Sequence, residues 1–147
     1  MANLAPEIAL RYLLTTSTPV SALIASRIFP NTASELAVFP CVTYSLIAHQ
    51  REGHLLGPSG LVFRRYQFDV LAKTNAELGA IVDAIRNRLD GYVGLVTIGA
   101  DSLRLQNVEL LEQSDGYVQS TDGSDTGIFK RSIDFRVSFG ETIPTHL

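Results

Sequence analysis

Cysteine is nearly absent: Cys41 is the only one in 147 residues. An internal disulfide is therefore excluded, and a lone thiol suits a reducing compartment. Positive charge is also in short supply, because 12 Lys and Arg against 15 Asp and Glu leave a net charge of -3. Binding nucleic acid as a main activity is not expected from that balance. No apolar run approaches the roughly 20 residues that span a bilayer. The first residues have no basic stretch, and Glu7 and Arg11 interrupt their apolar positions, so neither a secretory signal nor a membrane partner is expected. Histidine is limited to His49, His54 and His146, with no Cys-x-x-Cys or His-x-x-x-His spacing to support a zinc site. Internal repeats and interdomain linkers are lacking too, so residues 1–147 are expected to form one domain. A hydrophobic content of 46% supplies enough core to need no metal or disulfide.

What is present is organised around Val62 to Gly91. Tyr66, Phe68, Val70 and Ala72 share one face of a strand, while Arg65, Gln67 and Asp69 share the other. Thr74-Asn75-Ala76-Glu77 follows as a capping box, in which the Thr74 hydroxyl accepts from the Glu77 amide. Leu78, Ile81, Val82, Ile85 and Leu89 then recur at helical spacing, and Gly91 supplies a left-handed stop. Such a helix is roughly 25 Å long. Its stripe of aliphatic residues contributes about 8 to 15 kcal/mol if fully buried, enough to hold it across a sheet.

Pro6 opens an N-terminal helix carrying Ile8, Leu10, Leu13 and Leu14, and Pro19 starts a second, shorter one. Ile28-Phe29-Pro30 reads as a short extended piece. Val42, Tyr44 and Leu46 give the first clear strand, with Pro40 tolerated only at its beginning. Residues 91–99 fit either a short strand or a buried turn. In the strand from Ser102 to Glu112 the apolar face switches, since Leu103 and Leu105 are odd and Val108 and Leu110 even. A bulge near Gln106-Asn107 accounts for that change. Ile133, Phe135, Val137 and Phe139 alternate with polar residues in a last strand. Residues 50–60 and 114–127, rich in Gly, Ser and Asp, are expected as flexible loops. The fold class is therefore α+β: a mainly antiparallel sheet of about four strands, one long helix packed on one face, and short N-terminal helices.

The candidate chemistry is thin. His49, His54 and Glu52 could ligate a transition metal in principle, but no fourth ligand is spaced nearby and exposed loop histidines explain them better. Cys41 could be a nucleophile beside His49, although a cysteine opening a strand usually serves as packing volume. Asp115, Asp122 and Asp125 do not follow EF-hand spacing. Arg65, Asp69, Asp134 and Arg136 are placed for cross-strand ion pairs if their strands are neighbours. No cofactor is expected, and the residues favour a binding or assembly protein over an enzyme.

Several stretches together resemble a known family. Ala9-Leu10-Arg11-Tyr12-Leu13-Leu14, Ser26 to Pro30 and Phe39 to Tyr44 look like the opening of the tail completion, or tail terminator, proteins of long-tailed bacteriophages. Tyr66 to Val70 with the following helix, and Gly127 to Val137, continue the likeness in the same order. The resemblance implies a virion subunit that forms a ring, expected as a hexamer, on the head-proximal end of the tail tube. Such a ring ends tube polymerisation and joins the tail to the head connector. Its assembly would take place in the host cytoplasm, and DNA would pass through its lumen without specific binding. Arg51, Glu52, His54, Asp115, Asp122 and Asp125 are then candidate residues of assembly or lumen loops, the stretch from Asp115 to Asp125 being longer than the usual turn. The alternatives are a head-completion or tail-tube subunit, or a small cytoplasmic enzyme or ligand-binding domain working near Cys41 and His49.

Overall fold

The computed structural model describes residues 4–31, 38–118, 127–141, 143 and 145. Helices α1 (Pro6–Thr15) and α2 (Thr18–Ile24) come first, each with a proline in its first turn. Strands β1 (Ile28–Pro30), β2 (Cys41–His54) and β3 (Gly57–Ala72) follow, then α3 (Asn75–Leu89), β4 (Gly94–Ile98), β5 (Asp101–Val118) and β6 (Ile128–Gly140). The expectation of about four antiparallel strands is corrected to a six-stranded mixed sheet, ordered β1-β2-β3-β6-β5-β4. It is mixed because β1 pairs with β2 in parallel, whereas β2-β3, β3-β6, β6-β5 and β5-β4 are antiparallel. The two additional strands are the short edges, β1 and β4, where three and five residues are too few for clear alternation.

The switch of face in β5 is a bulge at the predicted place, between Leu105 and Asn107, and a second lies between Leu110 and Glu112. Leu103, Leu105 and Val108 thereby all reach the core. On β3 and β6 the core-facing residues include Val62, Tyr66, Phe68, Val70 and Ala72, and Ile133, Phe135, Val137 and Phe139. Against them lies the α3 stripe of Leu78, Ile81, Val82, Ile85 and Leu89, all buried. Helices α1 and α2 pack beside α3. The opposite sheet face has no helix over it among the described residues.

The Thr74 side chain accepts from the Glu77 amide at 3.2 Å and starts α3. Thr74→Ala is expected to cost about 1 kcal/mol in chemical unfolding.

One polar network crosses the helix side. Tyr66 donates its hydroxyl to Glu7 Oε2 at 2.7 Å, tying α1 to the sheet, and Arg64 donates Nε to His49 Nδ1 at 2.7 Å. Burial first, and then the bond to Glu7, push the Tyr66 phenol well above the usual tyrosine range. The unfolded chain releases this proton near pH 10 while the folded one keeps it, so this contribution to stability is complete below about pH 10 and declines as pH rises beyond it. Tyr66→Phe should therefore show a shallower loss of unfolding free energy between pH 9 and 11 than the wild type.

Candidate assembly surfaces

The β2–β3 hairpin runs past the rest of the sheet. Leu61 pairs with Gly140, the last residue of β6, so the arm from Glu52 to Gly60 continues with only β2 and β3 paired to each other. Residues 50–60, expected as a loop, are instead mostly the ends of these two strands. The alternation that identifies strands was missing there because neither face of the arm is buried. Only Leu55 and Leu56 form the turn, and both are fully exposed, at 105% and 95%.

Local bonds fix the arm's shape. His54 Nδ1 accepts from the Leu56 amide at 3.2 Å, and Ser59 donates its hydroxyl to the Glu52 carbonyl at 3.0 Å. At its base the Glu141 amide donates to the Gly60 carbonyl at 2.7 Å, and Arg51 pairs with Glu141 at 2.5 Å. Gly60 has φ +83, and a Cβ there would lie 3.2 Å from the Glu141 carbonyl oxygen and 3.2 Å from Ile143 Cγ1. Both the backbone and the space require glycine. Gly60→Ala is expected to lose about 1–3 kcal/mol of stability in urea unfolding.

Asp115 sits at the other end of the sheet. Residues 114–118, expected as part of a loop, belong to β5, and Asp115 faces Arg131 of β6. Arg131 donates Nε to Asp115 Oδ1 at 2.6 Å, and this bond holds the Asp115 carboxyl below its ordinary range. Asp122 and Asp125 lie outside the described residues. The structure thus groups Arg51, Glu52 and His54 on one arm and places Asp115 at the opposite end of β6.

The helix-free face carries a run of ion pairs. Arg65 donates Nε to Asp134 Oδ2 at 3.0 Å and a terminal nitrogen to Glu112 at 2.7 Å. Arg136 pairs with Glu109 at 2.7 Å while its guanidinium lies 5.6 Å from the Phe63 ring centre. Lys130 stands 3.8 Å from Asp69. The cross-strand pairing of Arg65 with Asp134 follows from the sequence alternation, but Glu112 and Glu109 as partners depend on the β5 bulges and were not anticipated. A shallow cleft on this face is lined by Ala48, Gln50, Phe63, Arg65, Leu111 and Arg136.

The sheet also leaves two different edges open. Beyond Tyr44, which accepts from the Asn31 amide, the outer edge of β2 has no backbone partner among the described residues. On β5 the outer edge is occupied by β4 as far as Leu105, then by the Gly91 amide at Val108 and by Asp90 at Leu110. Beyond Leu110 it too is open among the described residues.

Chemistry near Cys41 is not assembled. Cys41 and His49 are eight residues apart on one extended strand, about 26 Å, and burial pushes the Cys41 thiol up, away from a reactive thiolate. The lone pairs of His49 Nδ1 and His54 Nδ1 are already used by Arg64 and Leu56, and no metal-holding cluster occurs among the described residues.

A sequence model described as tail completion protein gp17 matches residues 8–139. The chain belongs to the tail completion protein gp17 family. The match takes in all three helices and the six strands except the first two residues of α1 and the last residue of β6. In three dimensions the chain is similar to one from a solved structure described as the virion of native gene transfer agent (GTA) particle. That likeness has a TM-score of 0.67 at 15% identity and covers 93% of this chain and 96% of the other. At that identity it speaks for a shared fold. No curated protein matches the chain. As a tail completion protein it is a structural component of a bacteriophage tail.

Proposed function

We propose that this protein forms a ring, a hexamer, on the head-proximal end of the completed tail tube. The ring stops tube polymerisation and offers its far side to the head connector. The family match over residues 8–139 carries this reading. The molecule's shape supports it: a closed ring of identical copies needs two unlike patches per copy, and the sheet leaves β2 and β5 open as unlike edges. The arm with Arg51, Glu52 and His54 and the end bearing Asp115 lie apart, so they are separate candidate surfaces for assembly.

DNA passes through such a ring without being held. On the helix-free face Arg65, Lys130 and Arg136 each have a carboxylate partner, which leaves fewer charges to capture phosphate. Assembly takes place in the host cytoplasm, without a membrane or cofactor.

A phage lacking the gene for this chain is expected to produce tail tubes of irregular, excessive length and filled heads without tails. Tails of normal length in that mutant would overturn the terminating role.

A further inference from the structure

Leu55 and Leu56 are two fully exposed leucines side by side at a turn, where polar residues cost nothing. They are held ready rather than loose, by the His54–Leu56 bond, by Gly57 at φ +126 and by the brace between Glu141 and Gly60. An apolar tip already fixed in shape loses little freedom when it docks, which is how interface anchors gain affinity.

The chain carries a matching receptacle that its own tip cannot reach. The cleft on the helix-free face has an apolar floor of Ala48, Phe63 and Leu111, with Arg64, Arg65 and Arg136 also lining it. Ala48 is seven residues before Leu55 on an extended strand, so the tip stands about 20 Å beyond the cleft of the same molecule. One tip and one cleft per chain, on different surfaces, is the arrangement that head-to-tail closure demands.

We infer that Leu55 and Leu56 insert into the cleft lined by Phe63 and Leu111 on a second copy of this chain. The inference rests on the ring reading above and names one contact between neighbouring copies. The test uses the full-length chain carrying Leu56→Cys and Leu111→Cys, bound to purified tail tubes, imaged, and then oxidised. The native Cys41 is buried and stays apart. A ladder of disulfide-linked multimers is expected on a non-reducing gel, absent from either single variant. Rings in the images without a ladder would overturn this inference alone, whereas tubes with no ring would overturn the ring reading and the inference with it.

A second variant, Leu55→Ser with Leu56→Ser, is expected to melt like the wild type, because both side chains are exposed. The protein concentration it needs for ring formation should rise about a hundredfold or more. Rings at the wild-type concentration would contradict the inference, as would rings that form normally but no longer hold the tube.

Discussion

Replacing Arg65 with alanine should destabilise the fold measurably, because it strands Asp134 in the sheet without its cation. Asp134 is only 7% exposed and receives two hydrogen bonds from Arg65. Without the guanidinium the Asp134 carboxylate stays in the sheet but loses that partner, which its burial makes costly. Glu112, the other partner, is mostly exposed and should contribute little of the loss. The pair of substitutions Arg65→Met with Asp134→Leu should recover most of the stability, because it removes the charge along with its partner. Urea unfolding of the single and paired variants checks both expectations. An unchanged urea midpoint in Arg65→Ala would mean that water reaches Asp134.

Phe68→Ala should be severe, at about 3–5 kcal/mol, with a fall in melting temperature of roughly 10–15 °C. Phe68 is 1% exposed, with its ring centre 5.9 Å from that of Phe135 in an edge-on contact and 6.0 Å from that of Tyr44. It faces Tyr44 on β2 and Ile133 on β6, so its removal opens a cavity where three strands meet under α3. Phe68→Leu fills most of that volume and should cost markedly less. Differential scanning calorimetry of the two variants gives the comparison.

Much of this architecture was legible because burial writes a period into the sequence. The α3 stripe, the alternation in β3 and β6 and the Thr74 cap are each read from residue spacing, and the bulge near Gln106 follows from the change of parity between Leu105 and Val108. The edge strands β1 and β4 left a weaker trace, since an edge is half solvated and a short one has few positions in which to repeat. The arm left none: both of its faces are exposed, so Arg51 to His54 and Gly57 to Gly60 read as loop chemistry although backbone pairing makes them strands. Its glycines serve that geometry, with Gly57 and Gly60 at positive φ. Leu55 and Leu56 are the clue in that stretch, because two adjacent leucines among polar residues and glycines have no local reason to be there.

The ion pairs show the same division. Arg65 with Asp134 follows from the alternation once β3 and β6 are taken as neighbours. The additional carboxylates, Glu109 and Glu112, are brought into place by bulges that shift β5 against β6, and bulge positions cannot be read pair by pair from one chain. Arg51, Glu52, His54 and Asp115 were singled out for their polarity, and the structure separates them into two ends of one sheet. That separation turns a set of exposed polar residues into two surfaces, one on the arm and one beside Arg131.

Cryo-electron microscopy of tails purified from a lysate, with this protein tagged and labelled with gold, tests the account most directly. Label is expected at one end only, the end that joins the head, on a ring of copies around an open channel. Label spread along the tube, or confined to the end away from the head, would contradict it.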